Sequence, residues 1–365
     1  MINFFEIDIR RAACHGIDPK KTGLEHATVL VDNQLCDISQ EVFELIKDRL
    51  AKAAERETKA FQLEIDYTNQ GSFFGLCHDL KNQSDEVFLS RSSDIAHLLA
   101  EAQTKNTIPG GNLIFLEAVD QRGRTAYIVI KAETIFALRY EIVNRQSKVR
   151  MIQDLFMSQQ QKMYKFGVIY ERGEEEKELY KELEEPNYEF GCFLFDDQFN
   201  VGSKLAEYFY KDFLGFSIDS NPKIQSKKFY VNTENFIKSN VETQTEKEEL
   251  LKVLKHEFLN HDETDKITPR DFADLYIQEP AVNSLYHNEI AQYLPEIILK
   301  DPSLIKNNLQ RKKYAFPNDI VITGPNNTFD INVKILKSMD DLKDVDFSNR
   351  DYTLVKILGK PELEK

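Results

Sequence analysis

Two β-rich runs joined by a short turn constrain the fold of this chain more than any other feature. Pro109-Gly110-Gly111 ends helical structure, and the runs 112–119 and 124–131 follow it. The connecting segment 120–123, Asp-Gln-Arg-Gly, consists of residues that favour turns. This pattern predicts a β-hairpin.

Two more strand-like runs lie at 166–171 and 190–195, and a glutamate-rich segment separates them. This segment, the acidic insertion of residues 173–186, contains seven glutamates and two lysines. So much charge of one sign favours a solvated loop or a short exposed helix. Binding of a partner is the alternative interpretation of the acidic insertion.

Helical patterns lie on both sides of these strands. A short apolar run at 27–31 predicts a strand, and Asp37 with Gln40 predicts the start of a helix. The buried face of that helix is predicted to consist of Val42, Leu45, Ile46, Leu50 and Ala53. A second amphipathic helix is predicted at 92–102.

A third, short helix is predicted from Ser203 to Leu214, where Gly215 supplies a left-handed cap. Beyond it the pattern changes, because residues 233–314 are largely helical and the tail returns to strands. The change predicts a domain boundary near residue 216.

The predicted helices of the later region lie at 246–258, at 280–299 and after Thr268-Pro269. In the tail, the runs 319–323 and 328–333 alternate on either side of a Gly-Pro-Asn-Asn segment, which predicts a second hairpin. A third strand is predicted at 353–358.

These patterns together predict an α+β fold with two domains, as expected for a chain of 365 residues. Residues 1–216 are predicted to form a mixed N-terminal domain with a β-sheet and packed helices. Residues 217–365 are predicted to form a helical region closed by a small C-terminal antiparallel sheet.

The cysteines and the N-terminus indicate where such a chain resides. Cys14, Cys36, Cys77 and Cys192 are scattered and form no CxxC pair, which favours a reducing compartment. Acidic residues at Glu6 and Asp8 interrupt the start where a signal peptide needs an apolar run. No later stretch is as apolar as a membrane span. We therefore expect a cytoplasmic protein that does not enter the membrane.

No motif of a known catalytic site occurs in the sequence. The glycines form neither a dinucleotide fingerprint nor a phosphate-binding loop nor a serine-nucleophile turn. His256 and His261 are five positions apart, so on a helix they point about 140° from each other. Cys14-His15 and Cys77-His78 are adjacent pairs, which point to opposite faces of a strand. We expect no enzymatic activity, no catalytic residues, no metal site and no cofactor.

Charge is the main argument against DNA binding, because 47 basic and 61 acidic residues give a net charge of −14. Charges farther away than a Debye length, about 8 Å at physiological salt, are largely screened, so only local patches of charge matter for contact with DNA. The better patch consists of Lys306, Arg311, Lys312 and Lys313, with Lys300 just before it, and a smaller one consists of Lys223, Lys227 and Lys228 beside Phe229 and Tyr230. Contact with phosphate is the functional interpretation, and solvation is the alternative.

Several segments match a known family in order and spacing. They are residues 88–102, 108–115, 126–131, 200–209, 212–215, 328–336 and 352–361, of which 200–215 is the clearest. Through them the chain resembles the bacterial nucleoid-associated protein family NdpA. The resemblance implies association with the bacterial chromosome at the nucleoid and no established enzymatic activity. It suggests one site residue, Lys204 in the matching segment, for which a solvent-facing lysine is the alternative.

Three functional hypotheses follow. In the first, the basic patches converge and bind DNA directly. In the second, the acidic surface and the acidic insertion dock a basic DNA-associated protein such as a topoisomerase, without direct DNA contact, and the net charge favours this reading. An unrecognised enzyme such as a nuclease or hydrolase is a third. A homodimer also stays open, because strand edges and the aromatic-rich helix 204–213 can serve as an interface.

Overall fold

The computed structural model describes residues 2–132, 135–143, 146–155, 165–199, 207–259, 264–316, 320–325, 333 and 362–363. The chain divides into two compact units, Met1–Asn221 and Pro222–Lys365. The first unit is built around a large sheet, and the described part of the second unit is mainly helical.

The strands of the first unit are β1 (Asp8–Asp18), β2 (Thr28–Leu30), β3 (Ala60–Ile65), β4 (Gly111–Val119), β5 (Thr125–Ala132), β6 (Ile135–Val143), β7 (Gln146–Leu155), β8 (Lys165–Glu171), β9 (Phe190–Asp196) and β10 (Phe216–Ser217). Eight of them form one sheet in the order β10-β3-β9-β8-β5-β4-β1-β2, and every neighbouring pair is antiparallel. Strands β6 and β7 pair with each other in a separate hairpin.

The hairpin predicted at 112–131 is confirmed as β4 and β5. Its turn is held by Asp120, whose carboxylate accepts the backbone N–H groups of Arg122 and Arg124 at 2.9 Å each. Gly123 takes a φ of +77°, which an L side chain rarely adopts. The strands predicted at 166–171 and 190–195 are confirmed too, and as β8 and β9 they pair directly.

The helices of the first unit are α1 (Gln40–Ala54), α2 (Phe73–His78), α3 (Asp85–Ala102) and α4 (Glu174–Leu179), with a π-helical segment at Tyr208–Phe213. Helix α1 buries Ile46 and Leu50 as predicted, whereas Val42 is 39% exposed. Helix α3 begins earlier than predicted, because Ser84 caps it by accepting the N–H of Val87.

Helices cover both faces of the large sheet. Ile46 and Leu50 of α1 belong to the same apolar cluster as Leu116 of β4. On the opposite face, Phe88 of α3 stacks on Phe115 at a ring-centroid distance of 5.0 Å. Phe115 and Leu116 are successive residues of one strand and therefore point to opposite faces. Burial on both faces explains why the strand runs are continuously apolar rather than alternating.

The second unit consists of α5 (Pro222–Asn240), α6 (Gln244–Leu259), β11 (Lys266–Ile267), α7 (Pro269–Tyr276), α8 (Pro280–Glu289), β12 (Ile298–Leu299), α9 (Lys306–Gln310), β13 (Arg311–Phe316), β14 (Ile320–Pro325) and β15 (Glu362–Leu363). Its helices share an apolar core that includes Phe229, Leu254, Phe258, Phe272 and Tyr286. Strand β13 lies between β14 and β15 in an antiparallel sheet. The α+β class, with a helical region followed by a small sheet, is confirmed.

Three predictions in the second unit are wrong in detail. Helix α5 begins at Pro222 rather than near Thr233. The helix predicted at 280–299 ends at Glu289, and residues 298–299 form a strand. The helical region does not extend to residue 314, because residues 311–316 pair with β14. Predicted strands 328–333 and 353–358 lie outside the described residues, apart from residue 333.

Candidate nucleic-acid interface

Three of the predicted phosphate-binding lysines lie on one helix. Lys223, Lys227 and Lys228 are in the first half of α5, and each is half-buried. The helix contains four lysines and one glutamate, so it is locally basic in an acidic chain. Phe229 and Tyr230, which follow directly, are fully buried and fix this helix against the core of the second unit.

Ser226 connects these lysines to the segment that precedes the larger basic patch. Its buried hydroxyl donates to the carbonyl of Leu299 at 3.2 Å and accepts the backbone N–H of Asp301 at 2.9 Å. The turn at Pro302–Leu304 also packs against α5. The backbone just before the larger basic patch is therefore held against the helix that carries the smaller one, although the two are far apart in the sequence.

The larger patch changes from helix to strand along its length. Lys306 begins α9 and is exposed, and α9 passes directly into β13. Arg311, Lys312 and Lys313 lie in β13, in register with residues 325, 324 and 323 of β14. Residues 306–316 contain four basic residues and no acidic one. Successive residues of a strand are about 3.3 Å apart, so the three basic residues of β13 occupy a short length of chain.

Lys300 forms an ion pair within the second unit, although it lies beside the larger patch in the sequence. Its Nζ is 2.8 Å from Oε2 of Glu257, and the Lys300 side chain is only 9% exposed. The Tyr276 hydroxyl donates to the other carboxylate oxygen of Glu257 at 3.0 Å. Lys300 therefore forms a structural ion pair, and the larger patch has one cation fewer than its sequence indicates.

The remaining predicted contact, Lys204, lies outside the residues that the structure describes. The described chain resumes at Glu207 and continues as the π-helical segment, which packs against α3. Gly215 follows with a φ of +66°, as predicted for a left-handed cap.

A buried polar cluster in the first unit is not apparent from the sequence patterns. Lys131 of β5 and Lys165 of β8 are cross-strand neighbours and are 1% and 3% exposed. Lys165 pairs with Asp196, and Lys131 donates to the carbonyl of Pro109 at 2.9 Å and to the hydroxyl of Tyr208 at 3.2 Å. One sequence signal for this cluster is a lysine at the end of an otherwise apolar strand run. Strands with such runs are buried on both faces, so a lysine within one is expected to be buried as well.

The acidic insertion is partly helical, as α4, and partly solvated. Glu174, Glu175, Glu178, Glu182, Glu184 and Glu185 are exposed. Its base is tethered by Arg172, which is 4% exposed. The Arg172 guanidinium donates to the Glu176 carboxylate at 2.8 Å and lies 3.8 Å from the ring centroid of Tyr180. The insertion therefore presents a cluster of carboxylates from a fixed base.

A serine and a histidine meet inside the first unit, but not as a nucleophile and its base. Nε2 of His15 lies 2.9 Å from Oγ of Ser92, while Nδ1 lies 3.2 Å from the backbone N of Asp32, which donates to it. The imidazole proton is therefore on Nε2 and is donated to Ser92, whose own hydroxyl donates to the carbonyl of Leu89 at 2.8 Å. Burial lowers the pKa of His15, which keeps the ring neutral.

The described residues contain neither a cluster of metal ligands nor a helix that could span a membrane. Nowhere in the described ranges do three or more histidine, cysteine, aspartate or glutamate side chains lie together as metal ligands would. None of the described helices has both the length and the apolar character needed to cross a membrane.

Comparison with known proteins assigns the family. The family model described as nucleoid-associated protein YejK matches residues 14–340, which is most of the chain. No curated protein matches the chain. The matched range includes most of the large sheet, the helices of the second unit and both basic patches. The chain therefore belongs to the family of nucleoid-associated protein YejK.

Proposed function

We propose that this nucleoid-associated chain binds DNA directly through the basic surface of its second unit. The basic surface is defined as Lys223, Lys227, Lys228, Lys306, Arg311, Lys312 and Lys313. The observation that supports the proposal is the pair of Ser226 hydrogen bonds, which holds the chain at 299–301 against the helix that carries the first three lysines.

The charge of the whole chain does not prevent this contact. A net charge of −14 repels DNA at long range, but at physiological salt the repulsion is screened beyond about 8 Å. Within that distance phosphates are attracted mainly by the charges nearest to them, so a local basic surface can bind them. Phosphate contacts of this kind carry no sequence information, so we expect binding that does not discriminate between sequences.

Fluorescence anisotropy with a labelled duplex tests the proposal. Affinity should fall steeply with salt, with a log-log slope of about −0.9 for each phosphate neutralised. A variant with Lys227, Lys228, Lys312 and Lys313 changed to glutamine should bind more weakly to every duplex and show a shallower slope.

A control variant removes the same charge from the first unit, by changing the exposed residues Lys21, Lys52, Lys81 and Lys181 to glutamine. It should keep most of the affinity. Direct binding through the basic surface is wrong if the native chain ignores duplex DNA at low ionic strength, or if the control loses as much affinity as the test variant.

The exposed glutamates of the acidic insertion support a second candidate function. In this alternative they dock a basic DNA-associated protein, and the chain itself does not touch DNA. Nuclease treatment should then leave the partner complex intact, whereas Glu174→Gln with Glu175→Gln and Glu178→Gln should weaken it. Loss of every partner after nuclease treatment would contradict this alternative.

Neither function requires turnover. The family is generally non-enzymatic, and we propose that this chain likewise acts by binding, without a cofactor. The predicted homodimer stays a prediction, and sedimentation of the purified chain tests it.

A further inference from the structure

Two of the four cysteines, scattered in the sequence, lie side by side in the first unit. Cys14 is in β1, and Cys36 lies in the segment between β2 and α1. The backbone N–H of Cys36 donates to the carbonyl of Ala12 at 2.9 Å, which fixes this segment beside β1. Cys14 follows Ala12 by two residues and faces the same side of the strand. The two thiols lie near enough that each shifts the pKa of the other.

The same pair is accessible to a small reagent. Cys14 and Cys36 are each only partly buried, at the edge of the apolar cluster that includes α1. Cys77 and Cys192, in contrast, are fully buried. The segment between β2 and α1 is also held by the backbone N–H of Asp32, which donates to His15. The segment that carries Cys36 is therefore held beside β1 at two points, Asp32 and Cys36.

We propose that Cys14 and Cys36 are a peroxide-sensitive thiol pair that closes into an intramolecular disulfide. The Cys36 thiolate attacks hydrogen peroxide, the O–O bond breaks, and Cys36 becomes a sulfenic acid with release of hydroxide. The Cys14 thiol then attacks the Cys36 sulfur, the S–O bond breaks, and water leaves as the disulfide forms. In total two thiols lose two protons and two electrons, and one peroxide becomes two waters.

The interaction between the thiols distinguishes their proposed roles. The interaction with Cys14 stabilises the thiolate of Cys36 and lowers the pKa of Cys36, against the opposing effects of burial and of Asp32. The same interaction, together with burial, raises the pKa of Cys14. Cys36 is therefore the attacking residue and Cys14 the resolving one.

The disulfide would link the large sheet to the segment that enters α1. It would close the loop that contains β2, and a closed loop restricts the unfolded chain. We therefore expect the oxidised protein to unfold at a higher temperature than the reduced protein, without loss of its secondary structure.

Treatment of the full chain with hydrogen peroxide, followed by thiol counting and peptide mass spectrometry, tests the pair. Two thiols should disappear, one peptide pair joined through Cys14 and Cys36 should appear, and dithiothreitol should restore both thiols. Cys77 and Cys192 are internal controls that should stay reduced, because burial raises the pKa of each thiol.

Two variants separate the roles of the cysteines. Cys14→Ser should accumulate a sulfenic acid on Cys36 that dimedone traps, whereas Cys36→Ser should leave Cys14 unoxidised under the same treatment. Oxidation of Cys77 or Cys192 at the same rate as Cys36, or a native chain that never joins Cys14 to Cys36, would overturn the proposal. A sulfenic acid on Cys14 in Cys36→Ser would overturn the assignment of roles.

Discussion

Lys165 of β8 and Asp196 of β9 form an ion pair inside the first unit, with Nζ 2.7 and 2.6 Å from the two carboxylate oxygens. Their side chains are 3% and 1% exposed. Removing both charges from water costs several kcal/mol per ion, and the attraction between the two charges at this short distance largely offsets that cost. The pair therefore fixes how the ends of β8 and β9 align more than it adds net stability.

Loss of one partner should be far more costly than loss of both. Asp196→Ala leaves the Lys165 ammonium buried without its carboxylate, and should lower the free energy of unfolding by about 3–5 kcal/mol. Lys165→Met with Asp196→Leu should recover most of that loss. Urea denaturation measures both variants, and equal losses for the single and the double variant would show that the charge itself is unimportant.

The buried imidazole of His15 should make stability depend on pH. Its pKa is lowered in the folded chain, so below the ordinary imidazole pKa the unfolded chain binds more protons than the folded one. The contribution of His15 to the free energy of unfolding is fully present above about pH 6.5 and decreases as the pH falls below that value. Urea midpoints at several pH values measure the effect. His15→Gln should flatten the change between neutral and mildly acidic pH, and an unchanged pH profile would count against it.

Gly215 and Gly123 make a matched comparison of backbone strain. Both have positive φ, +66° and +77°, but a Cβ at Gly215 would lie 2.6 Å from Cβ of Tyr67, whereas nothing lies within 4 Å at Gly123. Gly123→Ala should cost only the conformational term of about 1–2 kcal/mol. Gly215→Ala should cost more, because Tyr67 must also move. Thermal unfolding of the two variants compares them, and equal costs would remove the steric part of this explanation.

Ser226→Ala tests the alignment of the basic surface without changing its charge. The variant leaves the Asp301 N–H without its acceptor, at a cost of about 1–3 kcal/mol. It should also weaken DNA binding if the basic surface is the contact. Ser239→Ala on the exposed side of the same helix is the control and should change neither property. Unaltered stability in Ser226→Ala would show that these two hydrogen bonds do not hold the segment.

The predicted domain limits, 1–216 and 217–365, lead to a truncation experiment. We propose that residues 1–221 fold alone, because the large sheet and the helices on its two faces all lie within them. The fragment should unfold cooperatively, which circular dichroism during heating measures. A fragment without a thermal transition would mean that the two regions fold only together.

The pattern of neighbouring residues predicted a strand or turn correctly where those residues alone determine the local backbone conformation. The β4–β5 hairpin was predictable because Asp120 and Gly123 specify its turn from within the turn. The left-handed conformation of Gly215 was predictable for a similar reason. Family membership also came from segments of sequence, because packing residues keep their order and spacing along the chain.

Pairing between distant residues was beyond the reach of local pattern. The basic run at 311–313 has no clear strand alternation, and it is a strand because β14 supplies its hydrogen bonds. The lysines of α5 obscured the apolar period of that helix, so its first half was missed. The polar residue Ser226 is buried there only because the backbone at 299–301 satisfies it.

The sequence by itself determined the α+β class, half of the strands of the first unit and the family. Tertiary structure alone decided which charges are neutralised, as for Lys300 with Glu257, and which separated residues meet, as for Cys14 with Cys36. The physical reason is that turns and amphipathic faces are encoded by neighbours along the chain. Ion pairs and thiol contacts depend on strand register and helix packing. These bring together residues that are far apart in the sequence, and no pattern of neighbouring residues indicates which of them will meet.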